Sequence, residues 1–527
     1  MFSTYLNEAM VVNVYLTQLL HRQAQQRPDS VMTISAGVER TVREVADRVA
    51  RFAGALQSLG VVEGDRVGML ALNSDIYHEY LLAVPWAGAV VAPVNTRWSA
   101  KEMIYSLQDA QIKVLLVDDA FAAMVPELRQ GYPELSAIIY CGEAEPPPGT
   151  PRYQDLLQQH EPVPDARRGD EQVFGIFYTG GTTGEPKGVM LSHNNILVSA
   201  MGSLASTEAV SEAGTSMVVA PMFHMAAIAH WTMSLLKNST LLLVPAFEPA
   251  KVVKLIDEHQ VTDALLVPTM LQHLVAAAVA AQSKLSSFTR LLYGASPMPP
   301  VLLERIRDTF PGLKLTQAFG MTELSPVATL LADQDHAKAE VKNSCGRAPV
   351  NCEIRVVDWQ GQDAAPGEIG EVICRGSNVM LGYWNKPEVT ADAIRDGWMH
   401  TGDLGYLTQD GYLFVVDRLK DMIISGGENI YSVEVENALS QHPAVAMVAV
   451  IGLPDQQWGE RVHAAVVLRA GATVSAEELI ASCRKLIAGY KIPRSIDFLA
   501  ELPISGAGKI LKREIRAGHQ SGRDGEN

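Results

Sequence analysis

One stretch of the sequence gathers glycines and hydroxyls around a single lysine: residues 178–188 read YTGGTTGEPKG. Glycine lets the backbone turn tightly, so that several N–H groups can point at one anion. The stretch follows the apolar run VFGIFY, which predicts a strand that ends in a phosphate-binding loop. A tight turn without a ligand is the alternative for any single loop of this kind. The candidate donors are Thr179, Gly180, Gly181, Thr182, Thr183, Gly184 and Lys187.

The residues around Lys187 exclude a Walker A motif. That motif needs a serine or threonine after the lysine to bind Mg²⁺, whereas Gly188 follows Lys187 here. Pro186 has no N–H and disfavours a helical conformation at Glu185. We therefore expect that the loop does not lead directly into a helix.

Four more polar motifs follow in order: QAFGMTE (317–323), WMHTGDLG (398–405), DRLKDMIISGGEN (417–429) and ELPISGAGKILKRE (501–514). Glu323 offers the hard oxygen ligands that Mg²⁺ prefers, and a surface acid beside a helix cap is the alternative. Asp403 can accept hydrogen bonds from two hydroxyls, and an ordinary aspartate in a turn is the alternative. For Lys509, a solvated lysine in a glycine-rich loop is the alternative.

Taken in this order, the five motifs resemble those of the acyl-adenylate-forming (ANL) superfamily, in particular its AMP-dependent acyl-CoA synthetases. The resemblance covers about residues 10–515. Three positions depart from the usual pattern, because Gly180 replaces a serine and Ala318-Phe319 replaces Gly-Tyr. The first change removes one hydroxyl donor, while Phe319 can still stack on adenine.

The resemblance implies a nucleotide site assembled from several motifs. The ATP- or AMP-binding residues it implies are those of the loop (Thr179, Gly180, Gly181, Thr182, Thr183, Gly184 and Lys187) together with Gln317, Ala318, Phe319, Gly320, Thr322, Asp403, Arg418 and Lys509. Thr183 and Glu323 would hold Mg²⁺, and Asp403 and Arg418 would contact the ribose.

The implied catalytic residues are Lys509, Thr183, His224 and Glu323. Lys509 would reach the acyl carboxylate and the α-phosphate, which makes it the principal candidate for adenylation. The acid would attack the α-phosphate of ATP, giving acyl-AMP and pyrophosphate, and a thiol would then displace AMP. The implied cofactors are therefore ATP, Mg²⁺ and CoA.

Between the two steps, the resemblance implies that a C-terminal domain rotates about the hinge residue Lys420. The implied CoA contacts are Arg97, Gly426, Gly427, Glu428 and Trp458. A surface arginine and a structural tryptophan are the alternatives for Arg97 and Trp458. Gly427 lacks a side chain, so that a thiol arm could pass close to the backbone.

Two segments would line the acid pocket: APMFHMAAIAHWTM (220–233) and YGASPMPP (293–300). Their implied pocket residues are Phe223, His224, Met225, Gly294, Ala295 and Ser296. Both segments are apolar and lack lysine and arginine, which indicates a monocarboxylate with an apolar body. A medium- or long-chain fatty acid is the first expectation, and an aromatic acid such as a cinnamate or benzoate is the second.

Three other functions stay open at this point. They are adenylation with an acceptor other than CoA, oxidation of the adenylate as in luciferases, and nucleotide binding without catalysis. The presence of Lys509, Glu323 and Asp403 argues against the last of these.

Regular elements must hold these residues in place. The T-x-x-E spacing of Thr41–Glu44 is a capping box, and the apolar spacing after it predicts a helix. Helical patterns alternate with apolar runs, which predicts an α/β fold with buried, largely parallel strands. We expect a large N-terminal AMP-binding domain over 1–419, with two α/β layers and a β-rich subdomain at about 345–417. A small, mobile α+β domain would cover 420–515, followed by a disordered tail over 516–527.

The composition narrows the choice of partners. The 527 residues carry a net charge of −16, which argues against nucleic acid and requires any phosphate site to supply its positive charge locally. The five cysteines form no CxxC pair, and the most apolar run, LLAVPWAGAVVAPV (81–94), is too short to span a membrane. We expect a cytoplasmic enzyme without integral membrane contact, and we leave a homodimer open.

Overall fold

The computed structural model describes residues 14–179, 185–296, 298–504 and 510–521. These residues fold into two compact units. The larger unit contains the described residues up to Glu353 and the segment Arg375–Met399. The smaller unit contains Ile354–Cys374 and the described residues from His400 onward. No helix within these ranges is both long and apolar enough to cross a membrane.

The first elements alternate between helix and strand, as the hydrophobic pattern predicted. They are α1 (Gln18–Gln26), β1 (Val31–Ser35), β2 (Val38–Thr41), α2 (Val42–Ser58), β3 (Arg66–Leu70), α3 (Asp75–Trp86), β4 (Val90–Pro93), α4 (Ala100–Asp109), β5 (Ile112–Val117), α5 (Val125–Gly131), β6 (Ala137–Tyr140), α6 (Tyr153–Gln159) and β7 (Val173–Thr179).

The same alternation continues through the middle of the chain. The elements are β8 (Lys187–Ser192), α7 (His193–Ser206), β9 (Thr215–Val218), α8 (Met225–Leu236), β10 (Thr240–Leu243), α9 (Pro249–Glu258), β11 (Asp263–Leu266), α10 (Pro268–Ala280), β12 (Arg290–Gly294), α11 (Pro300–Thr309), β13 (Lys314–Phe319) and β14 (Thr329–Leu331).

Short strands then dominate. The remaining elements are β15 (Cys352–Val357), β16 (Gly370–Gly376), β17 (Gly382–Tyr383), α12 (Pro387–Ala393), β18 (Ile394–Arg395), β19 (Trp398–Leu407), β20 (Leu413–Arg418), β21 (Ile423–Ser425), β22 (Glu428–Ile430), α13 (Ser432–Ser440), β23 (Val445–Asp455), β24 (Gly459–Leu468), α14 (Ala476–Cys483), β25 (Ser495–Phe498) and α15 (Lys512–Ser521).

Two large sheets form the layers of the larger unit. One has eight strands in the order β14-β13-β12-β11-β9-β10-β1-β2, and the other has seven in the order β17-β8-β7-β4-β3-β5-β6. Strands β9, β11, β12 and β13 are parallel neighbours, so their carboxyl ends lie along one edge of the first sheet. Ligands of open α/β sheets bind at such edges. The α/β fold class is therefore confirmed.

Helix α2 shows how the local sequence sets these layers. The Thr41 hydroxyl accepts a hydrogen bond from the Glu44 N–H, and the Glu44 carboxylate accepts one from the Thr41 N–H at 2.7 Å. This reciprocal cap satisfies two N–H groups that the first helical turn leaves free. The apolar face that follows, including Val45, Phe52 and Leu56, is fully buried.

The smaller unit contains a compact antiparallel sheet with the order β22-β21-β24-β23, and β25 pairs with β24. Helices α13 and α14 cover one side of it, where Val435, Leu439 and Leu479 are buried. A second sheet of this unit contains most of β15, β16 and β19, in that order, with β20 paired to β19. This α+β arrangement after the α/β layers is the predicted one.

Two details differ from the sequence prediction. Residues 354–374 and 400–419 belong to the smaller unit, although the sequence assigned them to the N-terminal domain. One reason is that Asp417, at the end of β20, accepts hydrogen bonds from the N–H and the hydroxyl of Ser432. The strand before Lys420 is thereby attached to α13. The role of Lys420 as a hinge stays a prediction.

The second difference concerns the tail: the sequence predicted disorder over 516–527, and α15 extends through Ser521. The extent of the disordered tail stays a prediction. This polar helix is held by specific contacts. Ile515 is buried, and the Arg516 guanidinium lies 3.1 Å from the Asp421 carboxylate. Lys512 lies 2.7 Å from Glu436 in the same way. Composition alone gave no sign of these long-range ion pairs.

Candidate active site

The phosphate-loop motif lies between two antiparallel strands. Thr179, at the end of β7, is paired with Lys187, at the start of β8, and helix α7 begins only at His193. The predicted absence of a helix directly after the loop is therefore confirmed. The predicted donors Gly180, Gly181, Thr182, Thr183 and Gly184 lie outside the described residues.

Lys187 and the predicted Mg²⁺ ligand Glu323 both contact Tyr383, a residue that the sequence analysis missed. The Lys187 ammonium is 5.1 Å from the centre of the Tyr383 ring, and the Tyr383 hydroxyl donates a 2.8 Å hydrogen bond to Glu323. Strand β17 carries Tyr383 and pairs with β8, which fixes this arrangement. A single tyrosine in a two-residue strand has no spacing that could have marked it.

The environment of Tyr383 keeps its hydroxyl protonated. Burial, together with the negative charge of Glu323, raises the pKa of Tyr383 above its ordinary value. The hydroxyl therefore donates to Glu323 throughout the neutral pH range. Glu323 itself is only 6% exposed, so its carboxylate is held in one orientation at the start of a buried turn. A buried, oriented carboxylate fits the hard-oxygen preference of Mg²⁺.

The turn that carries Glu323 depends on Gly320. A Cβ atom at this position would lie 1.9 Å from the carbonyl oxygen of Pro326, so no other residue fits without a backbone shift. The turn is also held from outside, because the Met380 N–H donates to the Glu323 carbonyl at 2.9 Å. The predicted nucleotide residues in this turn are half-buried: Gln317, Ala318, Phe319, Gly320 and Thr322.

The predicted acid pocket and nucleotide segments meet at the edge of the eight-stranded sheet. Strands β12 and β13 are parallel, and Gly294 is the register partner of Ala318. A Cβ atom on Gly294 would lie 2.3 Å from the Ala318 carbonyl oxygen, which explains the glycine. Ala295 and Ser296 follow directly, so the structure brings these two predicted segments together.

The third segment follows β9 and leads into α8. His224 is the N-cap residue of α8, and the centres of the Phe223 and His224 rings lie 4.2 Å apart. Phe223 and Met225 are buried, and His224 is half-buried. These side chains form an aromatic and apolar surface at the start of the helix.

Further along α8, His230 and Trp231 belong to the protein core. His230 lies 3.1 Å from the buried carboxylate of Asp263, and the Trp231 indole donates to His78 at 2.9 Å. Both side chains are fully buried. Of the segment predicted to line the acid pocket, these two residues therefore pack in the core.

In the smaller unit, the structure brings together the predicted ribose contacts. Asp403 and Arg418 are register partners on β19 and β20, and Arg418 Nε lies 3.1 Å from Asp403 Oδ1. Asp403 is buried, whereas Arg418 is half-buried. A buried carboxylate that faces an arginine on a rigid ladder is suited to hold a diol in one orientation.

Most of the predicted CoA residues also lie together in the smaller unit. Gly426 and Gly427 form the turn between β21 and β22, with φ angles of +63° and +86° that favour glycine. Ser425 pairs with Glu428 across this turn. The Gly426 N–H donates to the Trp458 carbonyl at 2.8 Å, so the tryptophan lies against the turn.

Arg494 is a further residue at this place that the sequence analysis missed. Its guanidinium lies 4.5 Å from the centre of the Trp458 ring. A cation over an indole orients the ring and adds positive charge beside it. Arg97 lies in the larger unit on an exposed turn, and its CoA contact stays a prediction. Lys509 lies outside the described residues.

Three features together define the class of adenylate-forming enzymes. They are a glycine-rich loop within a hairpin, a buried Glu323 near Lys187, and a separate small α+β unit with Asp403 and Arg418. The family comparison agrees. Residues 20–384 match the family described as AMP-binding enzyme, and residues 434–509 match the AMP-binding enzyme C-terminal domain. The chain belongs to this family.

Curated relatives are similar over nearly the whole chain. A feruloyl-CoA synthase of Amycolatopsis sp is 40% identical over 94% of this chain and 97% of the relative. An indoleacetate–CoA ligase of Aromatoleum aromaticum is 34% identical, over 95% and 97%. A long-chain-fatty-acid–CoA ligase of Mycobacterium tuberculosis is 34% identical, over 92% and 93%.

Among solved structures, o-succinylbenzoate CoA synthetase of Bacillus subtilis is similar in two states. Its complex with the acyl-adenylate intermediate has a TM-score of 0.84 and 31% identity, over 94% of this chain and 97% of that one. Its complex with ATP and magnesium has a TM-score of 0.82 and 31% identity, over 94% and 98%. The chain is an AMP-forming acid–CoA ligase, an enzyme that uses ATP, Mg²⁺ and CoA.

Proposed function

We propose that the protein ligates an aromatic monocarboxylic acid to CoA, and that a cinnamate-type acid such as ferulate is its preferred substrate. The observation that carries the proposal is the 40% identity to the feruloyl-CoA synthase over 97% of that relative's length. The fatty-acid ligase, at 34%, is less similar. The sequence analysis put the fatty acid first, and the proposal reverses that order.

Two described residues of the proposed acid pocket favour a flat, aromatic substrate. The rings of Phe223 and His224 lie 4.2 Å apart at the first turn of α8, where an aromatic substrate could pack edge-to-face or offset against them. Beyond that turn, the Trp231 side chain lies in the protein core, where it donates a hydrogen bond to His78.

The pocket segments also bear on the number of carboxylates. Residues 220–233 and 293–300 contain no lysine or arginine. A second carboxylate buried against these segments would therefore lack a charged partner, which is costly. The proposed substrate accordingly carries one carboxylate, the one that reacts.

In adenylation, the residues of this chain hold two anions together. Lys509 neutralises the acid carboxylate and the α-phosphate, and Lys187 stabilises the phosphates that leave as pyrophosphate. Glu323, oriented by Tyr383, holds Mg²⁺, which supplies positive charge at the phosphates when bound. The acid oxygen attacks the α-phosphorus, the bond to the bridging oxygen of pyrophosphate breaks, and acyl-AMP forms. Such preorganised charge is worth several kcal/mol in a transition state.

In thioester formation, the smaller unit supplies a different surface. After rotation about Lys420, the turn at Gly426 and Gly427 lets the CoA thiol arm pass close to the backbone. Trp458, with Arg494 over its ring, covers the adenine of CoA, and His224 gates the path to the acyl carbonyl. The sulfur attacks that carbonyl, and AMP leaves with the electron pair of the broken C–O bond.

A fatty-acid–CoA ligase is the second candidate. The 34% identity to the mycobacterial long-chain ligase favours it, as do the small apolar residues of both pocket segments. A hydrophobic pocket distinguishes neighbouring chain lengths by only about 1–3 kcal/mol per methylene, so a fatty-acid enzyme would accept several lengths.

The test is pyrophosphate release from purified protein with ATP, Mg²⁺ and a panel of acids, with and without CoA. The panel contains ferulate, cinnamate, benzoate, indole-3-acetate, 2-succinylbenzoate, and C8 to C16 fatty acids. The proposal expects the cinnamate-type acids to have the highest kcat/KM and to give acyl-CoA. Preference for fatty acids would support the second candidate. Steady pyrophosphate release without CoA, and with no thioester formed when CoA is added, would indicate another acceptor.

A further inference from the structure

The smaller unit contains a group of metal-type ligands that the ligase reaction does not use. His463 lies on β24, Asp497 on β25 and His519 on α15. One ligand atom from each of these side chains lies within 4.8 Å of the other two. His519 Nε2 is 3.2 Å from Asp497 Oδ2, and His463 Nε2 is 3.8 Å from the same oxygen. Three elements that are distant in sequence thus converge on one point.

The sheet fixes the orientation of the inner histidine. Strands β24 and β25 are parallel, with His463 and Ser495 as register partners, and Asp497 follows two residues later on the same face. His463 Nδ1 is hydrogen-bonded to the Ser495 hydroxyl at 2.7 Å. This contact leaves Nε2 directed towards Asp497 and His519. A second hydrogen bond of this kind commonly orients a metal-binding histidine.

His463, the inner histidine of this group, has one ring nitrogen that is not hydrogen-bonded to any described residue. Its side chain is only 1% exposed, and Nε2 has no hydrogen-bond partner among the described residues. An unpaired buried nitrogen is unfavourable, so a ligand at this position would restore a lost interaction.

The outer two ligands are open to solvent. The Asp497 side chain is 47% exposed and that of His519 is 30% exposed, so an ion can enter from the surface. The centres of the two imidazole rings are 4.3 Å apart. Ligands around a tetrahedral zinc ion, each at about 2.0–2.1 Å, lie roughly 3.3–3.5 Å from one another. The separations of 3.2 and 3.8 Å need only small side-chain shifts to reach that geometry.

We propose that His463, Asp497 and His519 form a binding site for a divalent transition-metal ion, with Zn²⁺ as the best fit and water as the fourth ligand. Two imidazoles and one carboxylate suit Zn²⁺, Ni²⁺ or Co²⁺ rather than Mg²⁺, which prefers oxygen ligands alone. The site is distinct from Glu323, which lies in the larger unit.

A bound ion would fasten α15 to the sheet. His519 is in the last turns of α15, whereas His463 and Asp497 are on adjacent strands, so the ion would link the helix to both. Helix α15 begins at Lys512, three residues after Lys509 in the sequence. The ion therefore has a structural role next to a segment that adenylation uses, and it should stabilise the folded state.

The test uses the full chain, freed of metal by a chelator and then titrated with Zn²⁺ by calorimetry. Parallel samples receive Co²⁺, whose visible spectrum reports nitrogen ligation. His519→Gln and Asp497→Asn change half-exposed side chains, and circular dichroism verifies that both variants fold. His273→Ala, at an exposed position on α10 of the larger unit, is the matched histidine control.

We expect one Zn²⁺ bound by the wild type and by His273→Ala. In His519→Gln and Asp497→Asn the affinity should fall by at least about 10- to 100-fold, the loss typical for residues that only orient a metal ligand. Zn²⁺ should raise Tm in the first two proteins more than in the other two. Equal affinity and equal Tm shifts in all four proteins would overturn the proposal. So would a wild type that binds no Zn²⁺, which would leave His519 and Asp497 as a contact within the protein only.

Discussion

In the larger unit, the Tyr383 side chain contacts both the Glu323 carboxylate and the Lys187 ammonium. The hydrogen bond between Tyr383 and Glu323 is 2.8 Å long, and Lys187 lies 5.1 Å from the face of the same tyrosine ring. One tyrosine side chain thus contacts both the cation and the anion that we propose bind the phosphates and Mg²⁺, respectively.

Tyr383→Phe tests this arrangement, since it retains the ring and removes the hydroxyl. Loss of a hydrogen bond to a charged group costs about 1.5–3 kcal/mol, so we expect adenylation to fall about 10-fold or more. The Mg²⁺ concentration for half-maximal rate should rise, because Glu323 is less well oriented. Both values come from pyrophosphate release at varied Mg²⁺.

Tyr80→Phe is the control, because its hydroxyl donates to the Val67 carbonyl in the core of the same unit, at 2.8 Å. This variant should lose stability without a change in the Mg²⁺ requirement. If the two variants shifted the Mg²⁺ requirement equally, Tyr383 would have no specific part in the site.

At the scale of one residue, the main catalytic prediction concerns Lys509. Lys509→Ala should lower adenylation by at least about 100-fold, since the loss of one preorganised donor costs ~3 kcal/mol. Thioester formation from preformed acyl-AMP should persist, because that step does not need the lysine. The two half-reactions are measured separately, with the exposed Lys485→Ala as control. Equal losses in both half-reactions would contradict the assigned role.

At the scale of elements, close backbone approach determines the turn after β13. The Pro326 carbonyl oxygen would lie 1.9 Å from a Cβ atom on Gly320, whereas a Cβ atom on Gly312 would meet nothing within 4 Å. Overpacking of a tight site costs about 1–3 kcal/mol. The turn therefore holds Thr322 and Glu323 in place only while residue 320 is glycine.

We expect Gly320→Ala to lower the free energy of unfolding by about 1–3 kcal/mol and to impair adenylation. Gly312→Ala, in an open turn before β13, should leave both unchanged. Urea unfolding and pyrophosphate release provide the two measurements. Wild-type stability in Gly320→Ala would mean that the turn can shift its backbone without cost.

The turn between β21 and β22 is a second place where backbone segments approach closely. Gly426 in this turn packs against Trp458, which directly precedes β24. We propose that Trp458 covers the adenine of CoA, and stacking of this kind is worth about 1–3 kcal/mol. Trp458→Ala should raise KM for CoA roughly 5- to 150-fold and leave adenylation unchanged. The exposed Trp359→Ala, in the same unit, is the control. A raised KM for ATP instead would place Trp458 in the nucleotide site.

At the scale of the whole molecule, the sequence patterns predicted the α/β layers and the absence of a helix directly after the phosphate loop. These features follow from local spacing, such as the capping box at Thr41 and the Pro186-Lys187-Gly188 sequence. The resemblance also implied that Asp403 and Arg418 share one site, and these two residues lie together on neighbouring strands.

Contacts between distant segments could not be predicted in this way. Tyr383 and Arg494 act beside residues that are 60 and 36 positions away, respectively, and neither stands in a recognisable motif. Helix α15, which extends through Ser521, makes ion pairs with Asp421 and Glu436. Without an observed fold, a polar segment of this kind cannot be distinguished from a disordered one.

The central claim is that the enzyme selects an aromatic acid and transfers it to CoA. One competition experiment tests it most directly: equimolar ferulate, octanoate and palmitate are incubated with enzyme, ATP, Mg²⁺ and CoA, and the thioesters are quantified by mass spectrometry. Their initial ratio equals the ratio of the kcat/KM values. We predict a large excess of feruloyl-CoA, with AMP and pyrophosphate formed in equal amounts. A dominant fatty acyl-CoA product would contradict the account.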